Sequence, residues 1–286
     1  MKKQPWLIYA IITTLFWGVW GAFIEIPEKS GFPATLGYVV WAMTMIPCAL
    51  FALNIIKWKL DVDLRSVLLG STTGLLGAGG QIILFHALVK VPAYLVFPII
   101  SLYPVVTVIL SVMFLKERTN KRHWYGIVAA LFAILMLSYQ GQENGGGTSF
   151  LWLLLPVIIF LLWGIQAFVM KFSNETMRAE SIFFYMMVTG VLLIPVALMM
   201  TDFNQEINWG FKGPYLAAMI QVLNALGALT LVYALRFGKA IIVVPLTALA
   251  PVITVVLSLI IYAVIPHPVV IAGMVLTMVA IYLLAE

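Results

Sequence analysis

The sequence predicts an all-α integral membrane fold of ten transmembrane helices, arranged as two inverted five-helix repeats. Three observations predict it. First, the 286-residue chain is 63% hydrophobic and 9% charged, with a mean hydropathy of +1.09. A soluble globular chain carries about 25% charge, and no water-soluble fold of this length could hide so much apolar surface, so the surface faces lipid. Second, the chain repeats itself. Residues 87–111 and 234–258 align at an offset of 147 with 12 identities in 25 positions, setting Pro98 on Pro245, Pro104 on Pro251, Thr107 on Thr254 and Ser111 on Ser258. The same offset carries Gly126 onto Gly273, and an offset of 146 carries Trp17-Gly18 onto Trp163-Gly164. Third, basic residues are unevenly placed. With the N-terminus in the cytoplasm, 13 Lys and Arg residues lie inside, and only Lys29, Lys90 and Lys212 lie outside. That asymmetry sets both termini in the cytoplasm. Five spans per half is an odd number, so the second half enters from the opposite side and the repeats are inverted.

Each span needs about 20 mostly apolar residues. The first, over 6–24, follows Lys2 and Lys3 as a signal peptide would. No small-residue cleavage site follows it, so it reads as an uncleaved helix. It opens on Trp6, an interface anchor, and carries Trp17 and Trp20 deeper. The second covers 34–56. The third, 66–90, contains Gly70, Gly74, Gly77, Gly79 and Gly80, a small-residue pattern for close helix packing, followed by Gln81. The fourth, 92–115, contains Pro98 and Pro104, each of which removes a backbone donor and predicts a kink. The fifth is 122–139. The polar, glycine-rich QGQENGGGTS over 140–149 is a flexible linker, giving a first repeat over 1–141, a linker over 142–149 and a second repeat over 150–286. The sixth span, 150–170, has Trp152 as its anchor and carries Trp163 and Gln166. The seventh covers 180–200. The eighth, 213–236, follows the anchor Trp209 and contains Asn224. The ninth, 239–262, carries Pro245, Thr247 and Pro251. The tenth is 266–284.

The run Pro98-Ile-Ile-Ser-Leu-Tyr-Pro104-Val-Val-Thr107, leading into Leu115-Lys116-Glu117-Arg118, together with Trp17-Gly18, resembles the EamA-type ten-helix members of the drug/metabolite transporter superfamily. The resemblance covers almost the whole chain as two repeats. The second half departs from it, with Val264-Ile265 where the first half has Glu117-Arg118. Glu117 is therefore expected to make a helix-end or loop contact needed once, not to form a repeated active-site group. The resemblance implies a carrier of the bacterial inner (plasma) membrane, often an exporter, with its cavity lined by spans 1, 3, 4, 6, 8 and 9.

In inverted-repeat carriers the substrate sits near the bilayer midplane, where the repeats meet. The polar and aromatic residues near mid-depth are Trp17, Trp20, Gln81 and Tyr103 in the first half, and Trp163, Gln166, Asn224 and Thr247 in the second. These are the candidate substrate-binding residues. The competing reading makes the amides interhelical glue and the tryptophans packing. The four prolines are static kinks on the plain reading and bending points for alternating access on the functional one.

All 11 acidic residues fall in loops or at helix ends, whereas proton- and ion-coupled carriers commonly use an intramembrane carboxylate. Glu25, roughly 15 Å from the middle of the first span at about 1.5 Å per residue, and His86 are the nearest candidates for coupling. The plain reading makes both structural. Midplane Lys and Arg are also missing from the pattern, so a phosphorylated substrate has no charge partner. The class left is a neutral, zwitterionic or aromatic organic metabolite held by indole, phenol and amide groups. No H-E-x-x-H, G-x-S-x-G or P-loop occurs, so no enzyme is predicted. Cys48 is the single cysteine, and His86, His123 and His267 fall on different membrane sides, so neither metal nor cofactor is expected. The basic residues are topological and predict no nucleic-acid partner. The expected partners are the substrate and the bilayer, with a homodimer left open. The sequence thus predicts transport by alternating access, with export preferred to import. A sugar-uptake carrier of the same fold is one alternative, and it would need the coupling that the sequence lacks. A non-transporting membrane sensor or scaffold is another.

Overall fold

A computed structural model describes residues 5–90, 96, 99–137, 139, 154–262 and 267–285. The described residues are helices and connecting loops, with no strand among them. Thirteen helices are numbered in chain order. The first half has α1 (Pro5–Phe23), α2 (Glu25–Lys29), α3 (Ala34–Ile55), α4 (Leu64–Lys90), α5 (Tyr103–Phe114) and α6 (Lys121–Leu137). The second has α7 (Leu154–Ser173), α8 (Ala179–Leu192), α9 (Ile194–Met199), α10 (Leu216–Phe237), α11 (Ala240–Thr247), α12 (Pro251–Tyr262) and α13 (Pro268–Ala285). Eight stretches are long and apolar enough to cross a membrane; Ile99–Phe114 is a shorter apolar helix, and α6 has 17 residues. The linker over 140–149 and Pro98 lie outside the described residues.

Proline chemistry decides where the expected spans break. The ninth span divides at 248–250, and the backbone tightens there: Leu249 N–H donates to the Leu246 carbonyl at 3.2 Å and Val252 N–H to that of Leu249 at 3.0 Å. The fourth span does the same at the matched residues, with Leu102 N–H to Ile99 at 3.3 Å and Val105 N–H to Leu102 at 2.9 Å. Pro104 and Pro251 therefore sit at the start of the helical piece that follows each break, where a missing N–H leaves no bond unmade. The seventh span, expected as one helix over 180–200, is also divided, at Leu193. Pro195 cannot donate to the turn before it, so α9 starts afresh.

The helices pair in a way that survives exchange of the two halves. α1 lies along α10 as α7 lies along α4; α1 meets α12 as α7 meets α5; α3 meets α10 as α8 meets α4. Two further contacts join counterparts, α3 with α8 and α6 with α13, and α5 meets α11, the first piece of the ninth span. Most of the burial thus lies between the halves. The main core cluster draws on both, from Ala10 and Met45 to Leu235 and Leu249, while the outward faces leave residues such as Phe132, Met278 and Tyr282 exposed for lipid.

Candidate functional site

The exchange extends to single residues. Thr107 donates its hydroxyl to the Gly164 carbonyl at 2.9 Å, and Thr254 donates to the Gly18 carbonyl at 2.9 Å. At Gly18 and Gly164, α1 and α7 meet the matched helices closely. A Cβ on Gly18 would lie 2.5 Å from Ile253 Cβ, and one on Gly164 would lie 2.4 Å from Val106 Cβ. The two indoles beside them also behave alike. Trp17 Nε1 donates to the Asn224 carbonyl at 3.4 Å with its ring against Gly227, and Trp163 Nε1 donates to the Gly77 carbonyl at 3.3 Å with its ring against Gly80. Each indole needs the bare glycine beside it.

Around Trp17 the side chains form a chain of amides. Trp20 Nε1 donates to Gln221 Oε1 at 3.0 Å, Asn224 Nδ2 donates to the same oxygen at 3.4 Å, and Gln221 Nε2 donates to the Gly37 carbonyl at 3.2 Å. Gln221, the buried hub, was not among the sequence candidates. Its signal was available: it lies three residues before Asn224, on the same helix face. Around Trp163 the arrangement is more open. Tyr103 meets Trp163 edge to face at 6.4 Å between ring centroids and lies against the hydroxyl of Thr247. Thr247 is fully buried and donates to the Val244 carbonyl at 3.1 Å. Gln166 packs its amide against Gly77. Gln81 follows Gly77 by one turn on α4, and neither Gln81 nor Gln166 has a hydrogen bond among the described residues. Both are half-buried. An unpaired amide in a membrane interior costs free energy unless water or a ligand completes it.

The structure thus sorts the eight candidates into two groups. Trp17, Trp20 and Asn224 gather with Gln221 on α1 and α10. Tyr103, Trp163, Gln166 and Thr247 gather on α5, α7 and α11, with Gln81 on the adjoining α4. Trp41 on α3 was also missed, and its buried Nε1 has no partner among the described residues. A cavity of about 390 Å³ is lined instead by Trp6, Thr119, Asn120, His123, Phe237, Gly238, Lys239, Ile242 and Leu284, at the helix ends, and none of the eight lines it.

Glu25 lies on α2 and pairs with Lys29 at 2.5 Å, the two side chains 63% and 68% exposed. His86 is an exposed residue of α4. Glu117 accepts from Ala240 N–H at 3.1 Å on Oε1 and from Ile241 N–H at 3.0 Å on Oε2, capping α11 across the halves. Burial pushes its carboxyl above the ordinary range, opposed by those two N–H groups. At the same end, Lys171 donates to the Leu235 and Gly238 carbonyls, Arg236 to those of Asn174 and Met177, and Tyr233 to Glu180 Oε1 at 2.7 Å. Tyr9 stacks on Tyr233 at 5.2 Å. These bonds interlock the ends of α1, α7, α8 and α10. Among the described residues no group of His, Cys, Asp and Glu could hold a metal ion.

The profile of the EamA-like transporter family matches residues 4–139 and 150–285. Protein LicB of Haemophilus influenzae is 26% identical over 212 residues, 70% of each chain. An uncharacterized protein of Methanocaldococcus jannaschii is 31% identical over 135 residues, 46% of this chain but 95% of its own, so that protein is itself about one repeat long. A solved crystal structure covers 99% of this chain and 96% of its own at a TM-score of 0.81 and 15% identity, which shows the fold.

Proposed function

The chain belongs to the EamA-like transporter family, and from that premise we propose that it moves neutral, zwitterionic or aromatic organic metabolites across the bacterial inner membrane by alternating access. It is a multi-pass membrane transporter and not an enzyme. The proposed topology has ten spans in two inverted repeats with both termini in the cytoplasm. The halves-exchanging contacts support it, as do the basic residues and a relative one repeat long.

The observation that carries the substrate class is the pair of half-buried amides of Gln81 on α4 and Gln166 on α7, without hydrogen bonds among the described residues, on the two helices that Trp163 joins through the Gly77 carbonyl. Amides offer both donors and acceptors, and indole and phenol offer apolar platforms. None of the eight candidate residues is charged. Such a site holds a solute of no net charge, or one whose charges cancel, and rejects a phosphate ester. Export is the proposed direction, because uptake against a gradient needs a coupling group and Glu25 is an exposed, paired surface carboxylate.

Counterflow in liposomes holding the purified full chain tests the proposal. Vesicles preloaded with amino acids, nucleosides or aromatic amines should accumulate the matching labelled solute, and those preloaded with sugar phosphates should not. Accumulation of sugar phosphates alone would overturn the substrate class. No exchange with any solute would favour a sensor or scaffold.

A further inference from the structure

The cavity of about 390 Å³ at the helix ends lies apart from the candidate substrate residues, and its chemistry differs from theirs. Four helix ends build it: the start of α1 supplies Trp6, the approach to α6 supplies Thr119, Asn120 and His123, the turn between α10 and α11 supplies Gly238 and Lys239, and the end of α13 supplies Leu284. Helix ends of a membrane protein lie at the level of lipid headgroups. Trp6 there has the place of an interface tryptophan, and Phe237 is 51% exposed at the mouth.

The wall divides into two chemistries. Trp6, Phe237, Ile242 and Leu284 are apolar, while Thr119, Asn120, His123 and Lys239 are polar or basic. Lys239 directs one of its three donors to the Arg118 carbonyl at 2.5 Å. His123 Nδ1 meets the Thr119 hydroxyl at 2.6 Å, and its buried Nε2 has no partner among the described residues. The adjoining chain adds Arg118, Lys121 and Arg122. The nearby acid, Glu117, accepts from the Ala240 and Ile241 amides and faces Lys171 and Lys239, so it offsets part of the basic charge. Four cations, Arg118, Lys121, Arg122 and Lys239, stand against the one acid, so the corner is basic on balance, and it opens beside an apolar wall at headgroup depth.

We infer that this pocket binds a phosphate ester, and specifically the headgroup of an anionic phospholipid: the phosphate on Lys239 and Asn120, the upper acyl chain along Trp6 and the exposed Phe237. Free phosphate esters share the polar half of this chemistry, but only a lipid also uses the apolar wall.

Native mass spectrometry of the full chain in neutral detergent, with phosphatidylglycerol or phosphatidylcholine added, tests the assignment. Phosphatidylglycerol should be retained about ten-fold more tightly. Lys239→Gln should abolish that preference and Lys239→Arg should keep it. Trp6→Ala, which leaves the basic group in place, should weaken both lipids and preserve their ratio, so the apolar wall is tested even if Lys239→Gln proves unstable. Equal retention of the two lipids by the unaltered chain, or an unchanged preference in a folded Lys239→Gln, overturns the inference. Displacement of phosphatidylglycerol by millimolar glycerol phosphate overturns the lipid assignment and gives the pocket to a soluble ester.

Discussion

Alanine at Gly18 should destabilise the protein, and the contact distances set by how much. The added Cβ would lie 2.5 Å from Ile253 Cβ and 2.9 Å from the Ala250 carbonyl oxygen. Carbon atoms rest about 3.5 Å or more apart, so α1 and α12 must separate by about 1 Å. Overpacking of that kind costs about 1–3 kcal/mol, and the Thr254 bond to the Gly18 carbonyl lengthens as the helices part, losing part of about 1 kcal/mol. Against this, alanine gains about 1 kcal/mol in helix propensity over glycine. With about half of that bond lost, the net is a loss of about 0.5–2.5 kcal/mol. Gly164→Ala should match it, since its Cβ would meet Val106 Cβ at 2.4 Å and the Tyr103 carbonyl at 2.8 Å. Gly79 is the control, with nothing within 4 Å of an added methyl, so Gly79→Ala should gain the propensity term alone. Thermal unfolding of the three purified variants in one detergent measures all of this. A Gly18→Ala that stabilises as Gly79→Ala does would refute the close approach of the helices, and with it the matched packing of the two halves.

Glu117→Ala should cost about 1–2 kcal/mol at neutral pH by uncapping α11, read from the same unfolding assay. Burial raises the Glu117 carboxyl, so the native state holds that proton more tightly than the unfolded state does. The proton-linked part of its contribution, separate from the capping bonds, is complete below the unfolded carboxyl pKa and is lost as pH rises through the higher native value; Glu117→Gln should flatten that slope. Glu25→Gln should slow transport modestly and leave its response to a pH gradient unchanged, because an exposed pair with Lys29 is worth no more than about 1 kcal/mol. Loss of the gradient response with exchange preserved would make Glu25 the coupling group. Cysteines at Asn120 and Asn144 in a Cys48→Ala background should label from opposite sides with an impermeant maleimide, Asn144 from outside; the reverse pattern would invert the topology.

The repeat was legible because prolines, glycines and small hydroxyls encode backbone geometry directly. Thr107 and Thr254, aligned by sequence alone, make the same bond to Gly164 and Gly18. The tryptophan pair was legible for the same reason. Gln221 was legible only as a face-mate of Asn224; its hub role was not, because that depends on Trp20 and Gly37, some 200 positions distant in the chain, and hydropathy carries no record of partners. The division at Leu193 was missed although Pro195 stood in view, since a proline can sit in a membrane helix with or without a break. Glu117 shows the reverse case: the asymmetry between Glu117-Arg118 and Val264-Ile265 pointed to a contact needed once, and the carboxylate caps α11.

The proposed substrate site is tested most directly by measuring ligand affinity and melting temperature together on Gln81→Ala and Gln166→Ala, using a solute that the counterflow experiment identifies. Neither amide has a hydrogen bond among the described residues, so neither should hold the fold together. Affinity should fall roughly two- to twelve-fold, from about 0.5–1.5 kcal/mol per lost hydrogen bond, with melting temperature unchanged. Trp17→Ala and Trp163→Ala, whose indoles also clamp Gly227 and Gly80, should lower both. Unchanged affinity in both glutamine variants, with a lowered melting temperature, would contradict the account and leave the amides as packing between helices.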